Sequence, residues 1–282
     1  MSVSVVTLNK GRGHHLARLL EGLGRGVLPD EVVIVEMGGD APPLPDLGVP
    51  VRRTHLRHDG LPLAAARNAG RRAAAGEVLV YLDVDCIPSA NLVSGLAGAV
   101  SGHDGLICCE IRYLPGGAVS DGWTEAGLDR VGHRHPARRF PEGGVVPAPQ
   151  PGLFWSLAFA VRAATFDRIG GFDEGFTGYG AEDTDLAFRA ERAGVPVLFA
   201  GGMHAFHQHH LSCDPPLQHF SDIVANARRF HQRHGIWPMD GWLDAFAGLG
   251  LVEADRDRGL TVLRPPTEAE IAAAQVPADR PF

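Results

Sequence analysis

The stretch Glu77-Val78-Leu79-Val80-Tyr81-Leu82-Asp83-Val84-Asp85-Cys86 constrains the fold of this chain most. Residues 78–82 are all apolar or aromatic, with Gly76 before them and Pro88 after. A short apolar run between breakers reads as a strand buried on both faces. The run ends in two carboxylates, and residues two apart on a strand point to the same side. Two acids leaving a buried strand together are costly unless something positive sits between them. In an open α/β sheet, ligands bind at the carboxyl ends of the strands. Asp83 and Asp85 are therefore expected to hold a divalent metal and, through it, a diphosphate. Magnesium and manganese want hard oxygen ligands and retain sites for water and phosphates. The bland alternative is a pair of acids that ends the strand and caps the next helix.

Strand and helix patterns alternate around this run. Residues 2–8 and 31–36 read as strands, and 50–55 as a short third one. Apolar residues at helical spacing mark helices over 14–23, 61–75 and 91–100. Residues 41–50 form a Pro-rich loop, and 105–113 another strand. This order predicts an α/β fold with a mostly parallel, doubly wound sheet flanked by helices. From 114 to 150 the pattern is lost, in a segment too long for an ordinary connection. It reads as a functional loop or lid, with one helix near 121–131. Its Trp123, Arg134, Arg138 and Arg139 are either substrate contacts or solvated surface. Residues 154–161 are apolar again, 165–171 and 180–193 read as helices, and 195–200 as a strand. The chain after 213 reads as a helical extension, over 217–234 and 242–249, with a polar tail from 261.

Composition excludes some classes. At 282 residues, 45% hydrophobic and 21% charged, the chain can bury a proper core. Its net charge of −7 leaves no basic surplus for nucleic acid. Met1 leads directly into an alternating strand, without the basic and apolar regions of a signal peptide. No run approaches the roughly 20 apolar residues of a membrane helix. A cytoplasmic protein is expected, with room for peripheral membrane contact. Cys86, Cys108, Cys109 and Cys213 show no C-x-x-C spacing and fit a reducing compartment.

Three further stretches carry chemistry. In Gly178-Tyr179-Gly180-Ala181-Glu182-Asp183-Thr184-Asp185, glycines and an aromatic lead into three acids that open a helix. Acids in a first turn complement the helix dipole, and Asp185 can pair with Arg189. A glycine-framed start can also present a carboxylate into a cleft as a general base. Four of the 14 histidines, His204, His207, His209 and His210, fall within seven positions after the last strand. Neutral imidazole is a common metal ligand. The turn Asn9-Lys10-Gly11-Arg12-Gly13 contains G-x-G, but Leu16 stands where a dinucleotide fingerprint needs glycine. Glu36, at the end of the second strand, suits a ribose contact.

Together these residues resemble a GT-A glycosyltransferase of the family-2 type. Val5-Val6-Thr7-Leu8-Asn9-Lys10, Ala65-Ala66-Arg67-Asn68-Ala69-Gly70 and the Asp83-Val84-Asp85 strand resemble its nucleotide-sugar half. Gly170-Gly171-Phe172-Asp173-Glu174-Gly175-Phe176 and Gly178-Tyr179-Gly180-Ala181-Glu182-Asp183 resemble the acceptor half, in the form shared with galactosyltransferases. The resemblance implies a domain over 1–212, with a nucleotide-sugar half to 113 and an acceptor half from 114, and leaves 213–282 as an extension. It implies metal-dependent, inverting transfer of a sugar from a nucleoside diphosphate sugar to a carbohydrate or other hydroxyl acceptor. Thr7, Asn9, Glu36 and Arg67 border the base and ribose, and Asp83 lies by the ribose and metal. Asp85 ligates Mn2+ or Mg2+ with a histidine, His207 ahead of His204 and His210. Asp183 is the base, Glu182 holds the acceptor, and Trp155 and Tyr179 pack beside it. Glu36 stands where aspartate is commoner, and Tyr179 where the galactosyltransferase form has tryptophan.

Three other readings compete. A non-catalytic nucleotide-sugar or carbohydrate binder on the same fold needs no base such as Asp183. A nicotinamide-dependent oxidoreductase is disfavoured by Leu16. A metal hydrolase built on the histidines needs an open metal position and an activated water.

Overall fold

The computed structural model describes residues 1–39, 43–58, 60–255 and 259–280. Residues 41–42 of the expected Pro-rich loop and 281–282 of the tail lie outside the described residues. The first half runs β1 (Val3–Asn9), α1 (Gly13–Gly24), β2 (Glu31–Glu36), β3 (Val51–His55), α2 (Leu63–Ala73), β4 (Val78–Leu82), β5 (Cys86–Pro88), α3 (Leu92–Gly102) and β6 (Leu106–Tyr113). Next come α4 (Glu125–Val131), β7 (His133–Arg134), β8 (Val145–Pro147), β9 (Ala158–Arg162), α5 (Ala163–Ile169), α6 (Glu182–Arg192) and β10 (Val197–His207). The chain closes with α7 (Phe220–His234), α8 (Asp240–Gly248), β11 (Val252–Asp255), β12 (Gly259–Val262) and α9 (Glu268–Ala273).

The main sheet has the order β3-β2-β1-β4-β9-β6-β10-β5. Its first four strands are parallel, as alternating strands and helices require. β9 then enters antiparallel to both β4 and β6, while β6 and β10 pair in parallel. The sheet is therefore mixed rather than wholly parallel. β6 and β9 are antiparallel, so their connection needs no crossover. The long 114–157 segment makes the return, so it lies at the edge where β1, β4 and β6 end.

Helices cover both faces. Leu16, Leu19, Leu20 and Leu23 of α1 pack with α3 and alternate residues of β1 and β4. On the other face α2, α5 and α6 meet Leu79, Tyr81, Phe159 and Phe199. A third cluster, with Ile223, Phe246, Leu251 and Leu260, belongs to the chain after β10. This extension is helical as expected, but it also carries the β11–β12 hairpin and the capped helix α9 inside the expected polar tail. Strands of four residues are too short to show a period. Among the described residues no helix is long and apolar enough to cross a membrane.

Candidate active site

β10 is longer than its apolar core, because its register against β6 slips between Ala200 and His204. Gly201 and Gly202 fill the slip. A Cβ on Gly201 would lie 1.9 Å from the Pro141 carbonyl oxygen, so only glycine passes there. Beyond the slip, β10 pairs with β5, and His207 sits opposite Cys86. That pairing brings His207 beside Asp85, in the turn joining β4 to β5. His207 Nε2 is 3.6 Å from Asp85 Oδ1, and His210 Nε2 is 3.4 Å from Oδ2. The three ligand atoms lie within 4.8 Å of one another. Burial lowers the pKa of both imidazoles. Burial alone would raise that of Asp85, but His207, Arg12 and His210 outweigh it and hold it below the usual range. A carboxylate with two neutral imidazoles is a donor set suited to a divalent metal. The rival His204 stands elsewhere, its Nε2 3.0 Å from Asp129 Oδ1 and grouped with Glu125.

The two carboxylates of the β4 turn meet different side chains. Beyond Leu82 the chain is no longer a strand, so period-two alternation does not carry through Asp83 and Asp85. Asp83 turns instead to Arg67, whose Nη2 is 3.1 Å from its Oδ1. The other arm of Arg67 donates to Glu182 Oε1 at 2.9 Å. Arg67 is 3% exposed, Glu182 is 6% exposed, and the guanidinium lies over the Phe172 ring. Arg67 and Glu182, expected as ligand contacts, thus first hold each other and join the two halves of the cleft. Burial pushes the Asp83 carboxyl up to about 7 against the pull of Arg67. Asp183, next to Glu182, accepts from the N–H of Thr184 at 2.7 Å and of Ser156 at 3.4 Å. Burial and the Glu182 charge push its carboxyl up to about 6, against Arg67 and those two donors.

The turn that presents Asp183 is held from outside. Gly178 has φ +72°, and a Cβ there would meet the Asp222 carboxyl carbon at 2.1 Å. Ala181 also has positive φ, at 69°. The Asn226 side-chain amide faces the carbonyls of Thr177, Tyr179 and Gly180 at 2.9, 3.2 and 2.9 Å. Asp222 and Asn226 lie on α7, in the extension that carries no recognisable motif. The Tyr179 ring stacks on His219 at 4.4 Å and lies 6.0 Å from Trp242. Burial, then the charges of Glu182, Asp183, Asp83 and Asp85, raise the pKa of its hydroxyl.

At the other end of the cleft, Asn9 Nδ2 donates to Glu36 Oε2 at 2.7 Å. Glu36 is 2% exposed, with Arg53 Nε 3.5 Å from Oε1. A cavity of about 650 Å³ opens beside it, lined by Glu36, Met37, His55 and Arg57. Thr7 is fully buried, and its hydroxyl meets no partner among the described residues, so it lies beneath this wall rather than on it. Trp155 meets His135 edge to face at 4.8 Å, and Arg138 lies 4.9 Å over its ring. Tyr113 fits between His135 and His207, at 6.0 and 5.1 Å. Arg138 is buried, whereas Arg134 and Arg139 are exposed and Arg134 pairs with Glu110 at 3.2 Å. Trp123 is buried under Arg25 at 3.8 Å. Of the four candidates in the long segment, Arg138 alone stands against Trp155. Sequence reasoning passed over Tyr113, His135 and Asn226, which no local pattern distinguishes.

The family described as glycosyl transferase family 2 matches residues 2–170, more than half of the chain. The chain belongs to glycosyl transferase family 2. A second description, N-terminal domain of galactosyltransferase, matches residues 149–211, across Asp183 and the histidines. Among curated relatives of this family-2 member, a validoxylamine A glucosyltransferase of Streptomyces hygroscopicus subsp. jinggangensis is 30% identical over 226 residues, 71% of this chain and 51% of that protein. Human N-acetylgalactosaminyltransferase 7 is 27% identical over 161 residues, 51% of this chain and 24% of that protein. The chain therefore spans about half the length, or less, of the curated relatives it matches. A crystal structure of GalNAc-T7 with UDP, GalNAc and Mn2+ covers 74% of this chain and 43% of that one, with TM-score 0.58 and 20% identity. S. aureus TarS 1-349 in complex with UDP-GlcNAc covers 82% and 67%, with TM-score 0.53 and 14% identity. These likenesses establish the GT-A fold.

Proposed function

We propose that this protein transfers a sugar from a nucleoside diphosphate sugar to an acceptor hydroxyl, with inversion. The observation that carries the reading is one site that holds Asp85 with His207 and His210, and, tied to it through Asp83, Arg67 and Glu182, the carboxylate of Asp183. The GalNAc-T7 structure with UDP and Mn2+, and TarS with UDP-GlcNAc, support the donor class.

Asp85, His207 and His210 are the residues that would hold a divalent cation, and two imidazoles favour Mn2+ over Mg2+. A cation held there would neutralise the diphosphate and the charge on the leaving group. The cavity beside Glu36 and Asn9 receives the base. Asp83 is held by Arg67 at the mouth of the donor site. Asp183, fixed by Ser156 and Thr184, takes the proton of the acceptor hydroxyl as its oxygen attacks the anomeric carbon. The bond from that carbon to the diphosphate oxygen breaks on the opposite face, which inverts the carbon. Glu182 accepts from one arm of Arg67, and its charge helps to raise the Asp183 carboxyl. Trp155 and Tyr179 offer the flat faces on which an acceptor ring stacks. We place the working domain within 1–212 and give the extension the task of holding the Asp183 turn. Three buried free thiols, Cys86, Cys108 and Cys109, suit a reducing cytoplasm.

The decisive experiment is Asp183→Asn. Transfer should fall by about 10²–10⁴-fold, while nucleotide affinity with Mn2+ stays near that of the parent. Transfer at the parental rate would remove Asp183 as the base. Donor binding without any transfer to a broad acceptor panel by the parent would favour a binding protein.

A further inference from the structure

We infer that Arg12 is the resident counter-ion of Asp85, and that a divalent cation entering the cluster displaces it onto the donor diphosphate. This inference rests on the reading above and adds the residue that links metal binding to donor binding. Arg12 is the last residue before α1. Its N–H donates to Asn9 Oδ1 at 3.1 Å, and the same Asn9 donates to Glu36 at 2.7 Å beside the cavity. Its guanidinium is bonded to Asp85 Oδ2, the oxygen that also lies 3.4 Å from His210 Nε2. Arg12 thus runs from the nucleotide end of the cleft to the metal ligands, the span that a diphosphate has to cross.

The ion pair is lopsided. The Arg12 side chain is 39% exposed, whereas that of Asp85 is 6% exposed. The guanidinium can swing into the cleft, but the carboxylate cannot follow it out. While Arg12 sits on Oδ2, an incoming cation competes for that oxygen and for the Asp85 charge. When the cation wins, Arg12 is released within reach of the phosphates, and its planar fork of donors matches phosphate oxygens. No side chain caps α1, so the positive end of its dipole adds to the same attraction. Arg12 therefore opposes binding of the metal alone and favours binding of metal and diphosphate together. The coupling is reciprocal: the nucleotide tightens the metal as much as the metal tightens the nucleotide.

The test measures Mn2+ affinity by electron paramagnetic resonance, and affinity for UDP and GDP by calorimetry with Mn2+ present. Arg12→Gln should bind Mn2+ alone about tenfold more tightly and the nucleotide about tenfold more weakly. The opposite signs separate this role from a structural one, which would weaken both. Lys10→Gln, a charge in the same turn bonded to the Gly60 carbonyl and not to Asp85, should leave Mn2+ affinity within about twofold. Arg12→Lys keeps the charge without the fork, and both shifts should keep their sign at smaller size. It decides the matter if Arg12→Gln melts early. An Arg12→Gln protein with parental Mn2+ affinity, or with undiminished nucleotide affinity, overturns the inference and leaves the proposed function standing. A parent that binds neither Mn2+ nor either nucleotide overturns the proposed function itself.

Discussion

Two clusters of histidine and carboxylate lie along β10, and only one is built to open. Asp85, His207 and His210 stand at the strand's end, with Asp85 buried and Arg12 half-exposed over it. Glu125, Asp129 and His204 stand beside the bulge. There Asp129 is bonded to Arg112, which is also 3.3 Å from Glu110, and Glu125 accepts the Ala90 N–H at 2.9 Å. Arg112 is held by two carboxylates from two elements. Arg12 is bonded to one carboxylate and opens to solvent. The same residue types thus serve as a locked strut in one place and an exchangeable site in the other. The difference lies in what their arginine is tied to.

The comparison breaks most decisively on metal-dependent catalysis. Asp85→Ala should abolish Mn2+-dependent nucleotide binding and lower transfer by about 10³-fold, since several kcal/mol of charge stabilisation are lost. Asp129→Ala should keep both within about twofold. Equal losses from the two would erase the distinction, and titrations with and without chelator decide it. The pH profile sharpens it, because Asp183, the proposed base, belongs to neither cluster. With Asp183 pushed up to about 6, its base form is lost on acidification. Transfer should therefore fall about tenfold per pH unit below that value. In Asp183→Asn the residual rate should lose this limb, and a limb that persists would assign it to another group. Next in size is Asn226→Ala, which frees the three carbonyls behind Asp183. It should lower the turnover rate about tenfold and the stability by about 1–3 kcal/mol, with nucleotide affinity unchanged. Weakened nucleotide binding would show that the extension acts on the donor side instead. Smallest is the stability of the strut. Asp129→Ala should cost at most about 1 kcal/mol in denaturant unfolding, because its side chain is 36% exposed.

Much of the donor side was legible along the chain. β4 announced itself because a doubly buried strand is continuously apolar, and acids at the end of such a strand call for a cation. The turn before Asp183 was legible through its glycines, which only a special turn requires. The choice among His204, His207 and His210 was not. It depends on a three-residue slip in register and on β5 pairing back against β10. Nor could spacing reveal that Arg67 meets Glu182, a contact across 115 positions.

By itself the sequence determined a family-2 chain with an α/β sheet, an Asp-Val-Asp turn and a glycine-framed carboxylate. Those features follow from local rules, the strand and helix periods and the conformational freedom of glycine, which neighbouring residues carry between them. Only the tertiary structure decided that Asp83 turns to Arg67 while Asp85 joins His207 and His210. It also decided that Arg12 guards Asp85 and that the extension braces the Asp183 turn through Asn226. Each of these depends on strand pairing and helix docking between distant segments. Buried charges take whichever partner that packing brings near, and no local period records the choice.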